Sequence, residues 1–191
     1  AFEKLEQARE DAERFQQELR QVNEDLISAN RELEYLSLYD ELTGLPNRTL
    51  FRDRIGQGIT VADVIKQPLA ILLIDLDQFK EINDTFGHEL GDELLRLVSK
   101  RFDAIARYSD TVGRLGGDEF GLLLPNADEA RAAEIANSLL HSLDTSFELE
   151  EQSLSITASI GIAVYPQHGS DVTTLLRHAD MAMYQAKHSK Q

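Results

Sequence analysis

The first 36 residues place apolar side chains at alternating intervals of three and four, with neither proline nor glycine among them. One seam position holds Leu5, Ala12, Leu19, Leu26 and Leu33; the other holds Ala8, Phe15, Val22, Ala29 and Leu36. A seven-residue period sustained over about four heptads predicts a coiled coil or long signalling helix across residues 1–37. The plainer alternative is a single amphipathic helix packed on its own domain, but a 3.5-residue repeat favours supercoiling. Alanines scattered through the seam favour a parallel dimer that is close without being very tight. Charges of both signs between the seam positions suit a solvated face.

Residues 38–191 change character. Asp40-Glu-Leu-Thr-Gly44-Leu-Pro46-Asn47-Arg48 breaks the helix with turn residues, and Asn47 can cap a helix from Arg48 to about Ile65. Leu69 to Asp75 is an unbroken apolar run with β-branched content, which predicts a strand buried on both faces. A short helix follows from Phe79 to Phe86, then a turn from Gly87 to Gly91 and a helix from Asp92 to Tyr108. Thr111–Leu115 and Glu119–Leu124 read as a hairpin turning at Gly116-Gly117. Asp128 to Leu143 is helical, Phe147–Glu150 and Leu154–Val164 are strands, and Asp171 to His188 closes the chain as an amphipathic helix. The implied fold is α+β and ferredoxin-like: a βαββαβ core with a mostly antiparallel five-stranded sheet surrounded by helices.

The formal net charge of −15 argues against a broad basic surface, hence against a nucleic-acid polymer or direct contact with an anionic membrane. A single nucleotide is not excluded, because a divalent cation and a few lysines neutralise a triphosphate locally. With no cysteine, disulfides and zinc–thiolate sites are ruled out, and a reducing cytoplasmic setting fits. No apolar run approaches the length of a membrane span. The chain begins at Ala1 rather than methionine, which suggests a piece of a longer protein, whose parent could itself be membrane-anchored.

The chemistry concentrates in two places. Gly116 and Gly117 run into Asp118, Glu119 and Phe120. Glycines permit a sharp turn and close approach of a ligand, and adjacent acids at such a tip repel unless a cation sits between them. Asp75 and Asp77 end the buried strand, where open α/β sheets tend to bind ligands. Alone, such a pair more often terminates a strand as solvated acids; beside the hairpin acids it suggests a hard-cation site. An EF-hand loop is excluded, since Lys80 stands where its sixth-position glycine belongs and Phe86 at the twelfth. Downstream, helix-start amides and Lys80 suit phosphate, while Asn83 and Asp92 suit the guanine edge.

The run from Asp75 to Asp92 (D-L-D-Q-F-K-E-I-N-D-T-F-G-H-E-L-G-D), the Gly116–Phe120 block, Asp40–Arg48 and His178–Lys187 together resemble the GGDEF-domain diguanylate cyclase family, in family order. The C-terminal wording is similar to GGDEF domains fused to EAL domains. The resemblance implies a nucleotidyl-cyclase-like palm fold and condensation of two GTP into cyclic di-GMP by a Mg²⁺-dependent (or Mn²⁺-dependent) homodimer. It further implies Asp75, Asp118, Glu119 and the Leu76 carbonyl as metal ligands, with Asp75, Asp118 and Glu119 catalytic. Asn83 and Asp92 would read guanine, Lys80 and Lys187 would contact phosphates, and Phe79, Gly116 and Gly117 would border the nucleotide. Arg107 and Asp110 form an R-x-x-D tetrad where the family carries its inhibitory product site. The pattern's arginine four residues beyond Lys187 is Gln191 here, with Lys190 beside it as a substitute. The alternative reading is a catalytically weak module that senses GTP or cyclic di-GMP.

Overall fold

The computed structural model describes residues 2–149 and 152–189, with side chains described from Arg14 onward except at 31 and 34. Two compact units result, Ala1–Ser37 and Leu38–Gln191. The first is helix α1, Phe2–Leu38. The seam residues Phe15, Leu19, Val22, Leu26, Leu33 and Leu36 are all exposed along it. Seam residues Leu5, Ala8 and Ala12 lie outside the described side chains.

The second unit contains α2 (Arg48–Ile65), β1 (Leu69–Leu76), α3 (Phe79–Phe86), α4 (His88–Ile105), β2 (Thr111–Gly116), β3 (Glu119–Pro125) and α5 (Glu129–Leu143). It continues with β4 (Phe147–Leu149), β5 (Gln152–Leu154), β6 (Ala158–Tyr165) and α6 (Val172–Ser189). Asn47 caps α2 through its side-chain oxygen, which accepts from the amides of Thr49 and Leu50, and Asp128 caps α5 at Arg131. The strand order is β2-β3-β1-β6, antiparallel throughout.

Strand β1 organises both faces by its parity. Ala70, Leu72, Ile74 and Leu76 enter one core with α4 and α5, while Leu69, Ile71 and Leu73 enter a second with α2 and α6. Asp75, next in the odd series, falls on the α2/α6 face, opposite Glu119 of β3. Helix α6 is seated against β6 at Gly161, where a Cβ would lie 2.0 Å from the Ala179 carbonyl oxygen. Any larger residue there would lift α6 and its distal residues off the sheet.

Among the described residues the sheet has four strands, not five. Phe147–Leu149 pairs instead with Gln152–Leu154, in a separate two-stranded hairpin. The reason lies in Arg101 of α4: its guanidinium donates to the carbonyls of Ser142, Thr145 and Ser146 and covers the Phe147 ring at 3.5 Å. That clamp holds β4 against α4 and away from the sheet. The expected single strand from Leu154 to Val164 is likewise split, because the Thr157 carbonyl and hydroxyl turn aside to bond the Asp77 amide and carboxylate. Helix α4 begins at His88, four residues before the expected Asp92. Gly87, at φ 90°, makes the break alone, and Gly91 lies within the helix. Glu150 of the expected fourth strand lies outside the described residues.

A charge clamp joins the start of the unit to the hairpin. Both Asp40 carboxylate oxygens accept from Arg114 Nη1 at 3.0 Å, and Arg114 Nε and Nη2 donate to the Gly117 carbonyl at 3.1 and 2.9 Å. Burial works against the Asp40 charge, but Thr43 and Arg114 outweigh it and hold its pKa below the ordinary 3.8. A depressed carboxylate stabilises the fold above its unfolded pKa and loses that contribution as pH falls through the folded one. Asp40→Asn should therefore cost about 1–3 kcal/mol at pH 7 by urea denaturation. That difference from wild type should shrink below about pH 4.

Candidate active site

The site lies where β1 ends beside the β2–β3 turn. The Leu76 amide donates to the Asp118 carbonyl at 3.2 Å, tying the strand end to the tip of the hairpin. Gly116 and Gly117 hold the tip at φ 138° and 55°, and a Cβ on either would meet nothing within 4 Å. Glycine is needed here for backbone conformation, and the space above the tip is open. Asp75 is mostly shielded, with 14 % of its side chain exposed, and Lys187 of α6 donates to its Oδ1 at 2.5 Å. Burial and then the Asp75 charge push the Asp118 carboxyl above its usual range, with Lys187 and Arg114 pulling partly against them. The Lys187 ammonium is raised by its bond to Asp75, by the charges of Asp118 and Asp77 as well, against some desolvation.

The other expected residues divide. Glu119 stands opposite Asp75 in register, but its Oε2 accepts from Arg48 Nη2 at 2.7 Å, while Arg48 Nε donates to the Leu115 carbonyl at 3.0 Å. Asp77 accepts from the hydroxyls of Ser159 at 2.7 Å and Thr157 at 2.8 Å, so it ends the strand bonded to its neighbour and not as a freely solvated acid. Lys80 and Asp92 are exposed on α3 and α4. Phe79 is 7 % exposed and places its ring in the core. Asn83 Oδ1 is buried without a partner, and a Cβ at Gly91 would lie 1.9 Å from it. Glycine at 91 thus leaves room for the Asn83 amide against α4.

Arg107 and Asp110 close a tight turn: the Arg107 amide donates to Asp110 Oδ2 at 2.8 Å and the Asp110 amide to the Arg107 carbonyl at 2.9 Å. Arg107 itself is exposed. Lys190 and Gln191 lie outside the described residues. Sequence reasoning missed Arg48 and Arg114 as partners of the acids. Arg48 ends the Asp40–Arg48 motif and Arg114 stands two residues before Gly116, but their reach across the hairpin depends on tertiary placement.

No set of three or more His, Cys, Asp or Glu side chains is arranged to hold a metal among the described residues. Asp75 and Asp118 still fit a hard cation of the Mg²⁺ kind, which takes one or two carboxylates and fills its shell with water and phosphate oxygens. Burial first and then the Asp75 charge raise the Asp118 pKa, and a cation there would relieve both.

A family profile described as "Diguanylate cyclase, GGDEF domain" matches residues 37–191. The bifunctional diguanylate cyclase/cyclic di-GMP phosphodiesterase MucR of Pseudomonas aeruginosa is 46 % identical over 85 % of this chain and 24 % of its own length. Diguanylate cyclase TpbB of the same species is 42 % identical over 96 % of this chain and 42 % of its own. The solved GGDEF domain of TpbB superposes with a TM-score of 0.77 at 44 % identity, covering 79 % of this chain and 89 % of that one. The chain thus spans about a quarter to two-fifths of these curated relatives. With the motifs, the antiparallel sheet and the matched profile in agreement, the chain belongs to the GGDEF-domain diguanylate cyclase family.

Proposed function

We propose that this chain is the catalytic module of a diguanylate cyclase, in which two copies, each carrying one GTP, condense them to cyclic di-GMP and two pyrophosphates. The observation that carries this reading is the end of β1: Asp75 and Asp118 repel each other there, with Lys187 laid against Asp75. Asp75, Asp118, Glu119 and the Leu76 carbonyl are the residues that would hold Mg²⁺ (or Mn²⁺). A bound divalent cation supplies charge stabilisation to a phosphoryl group in transfer.

The chain's own groups account for the rest. Asn83 and Asp92 pair with the guanine edge, and the Phe79 backbone and the open Gly116-Gly117 turn border the nucleotide. Lys80 and Lys187 neutralise the β- and γ-phosphates; Lys187 must leave Asp75 to do so, a short swing from one anion to another. Glu119 takes the proton of the attacking ribose 3′-hydroxyl. The new bond forms from the 3′-oxygen to the α-phosphorus of the facing GTP as the bond to the β-phosphate oxygen breaks and pyrophosphate departs. In-line positioning of two bound substrates is the main requirement, so a second copy is essential. The exposed seam of α1 supports a parallel homodimer that raises the local concentration of the partner domain. The turn at Arg107 and Asp110 presents an exposed guanidinium able to bind product guanine or phosphate, which supports feedback inhibition.

The deciding assay incubates the chain with GTP and Mg²⁺ and follows pyrophosphate and cyclic di-GMP. Both should form, whereas tight GTP binding with no product would make it a sensor and overturn the reading. Asp118→Asn and Glu119→Gln should each lower kcat by about 10²–10⁴-fold with the fold intact. Replacing Leu19 and Leu26 with Glu should depress specific activity at low protein concentration and restore it as concentration rises; unchanged activity would refute the role given to α1. Arg107→Ala should stay active at product concentrations that silence the wild type, and equal inhibition of both would remove the tetrad from regulation.

A further inference from the structure

A cleft of about 420 Å³ opens between α2 and α6, on the face of the sheet that carries Glu119. Its volume falls within the usual range of small-molecule sites. Phe51, Leu73 and Met183, all buried, give it an apolar floor, and Arg48, Arg52, Arg177 and Thr173 line it with donors. Three guanidinium groups face two carboxylates there, Glu119 and Asp180, so the lining is cationic on a chain whose net charge is −15.

These arginines are not equally engaged. Arg48 is held by Glu119 and the Leu115 carbonyl. Arg52 has one long contact, 3.5 Å to the Thr173 hydroxyl. Arg177 makes no hydrogen bond or salt bridge among the described residues and acts on Asp171 only through space. Two guanidinium groups without a carboxylate partner match the charge of a phosphate monoester, roughly −1.5 to −2 at neutral pH. A carboxylate would satisfy only one of them. Planar donor forks are also the groups best suited to bidentate phosphate binding.

We propose that this cleft binds a phosphate monoester carried on a flat apolar body. Arg52, Arg177 and the Thr173 hydroxyl hold the phosphate, and the floor around Phe51 and Met183 takes the body. Because Arg48 shares the cleft, an anion seated there competes with Glu119 for its guanidinium. Occupancy is thereby linked to the freedom of the carboxylate that the cyclase reading assigns as base. That consequence rests on the proposed function; the binding itself does not.

The test is isothermal titration of the full chain with AMP, without GTP or divalent cation. The same titration with adenosine and with inorganic phosphate separates the contribution of the body from that of the head. AMP should saturate with a Kd at or below about 1 mM. Adenosine and phosphate alone should each bind at least about tenfold more weakly, and so should AMP to the Arg52→Gln/Arg177→Gln double variant. Both arginines are exposed, so that variant should keep its fold by circular dichroism, and Arg177→Lys alone, which keeps the charge, should retain measurable binding. Three results would overturn the proposal: no saturation with AMP, phosphate binding as well as AMP, or AMP binding unaffected by the double variant. Since no turnover is read, failure here leaves the cyclase assay untouched, and inactivity in that assay leaves this site standing.

Discussion

The structure depends on keeping several carboxylates together at one end of a sheet without letting them push it apart. Asp75 and Asp118 act on each other where β1 ends, Glu119 stands opposite Asp75 in the β1–β3 register, and Asp40 stands behind the same hairpin. Each is balanced from a different element: Asp75 by Lys187 of α6, Glu119 by Arg48 of α2, and Asp40 by Arg114 of β2. Only Asp118 lacks a salt bridge among the described residues, and its carboxyl is the one pushed above its usual range. Like charges in a partly desolvated site cost free energy unless matched, so the helices α2 and α6 that supply the cations are bound electrostatically to the acids they flank.

This balance also explains why the hydrophobic packing is so exact in places. Lys187 reaches Asp75 only because α6 lies close on β6 at Gly161. Arg48 reaches Glu119 only because Asn47 starts α2 at a fixed point, with its amide bonded to the Leu38 carbonyl and its side chain capping the helix. Packing sets the positions; the charges then hold the site in a loaded state. The counter-cations need not be permanent partners. Under the proposed function Lys187 would pass from Asp75 to a substrate phosphate, and Asp75 would be among the residues holding the cation.

Much of this was legible in the chain. The run Leu69 to Asp75 declared a buried strand, observed as Leu69–Leu76, the hairpin was marked by Gly116-Gly117, and Asn47 and Asp128 announced their helices. The acids were legible as a group because their residue types and turn context leave few other uses for them. What the sequence hid was relational. Whether Phe147 joins the sheet or folds back depends on Arg101, more than 40 residues away, reaching three carbonyls at the end of α5 and in the loop after it. Local pattern carries no trace of that clamp. The same holds for Arg48 and Arg114: each reads as a solvated charge until the fold brings its acid within reach. Gly91 misled in the opposite direction, since glycine suggested a turn where its actual use is to leave room for Asn83 inside a helix.

The account turns on Lys187 and Asp75 being partners only until substrate arrives. A crystal structure of the chain with Mg²⁺ and a GTP analogue that resists cyclisation tests this directly. The prediction is that Lys187 Nζ leaves Asp75 for a β- or γ-phosphate oxygen, with a divalent cation held at Asp75 and Asp118. An intact Lys187–Asp75 pair beside bound nucleotide, with no cation on either acid, would contradict it.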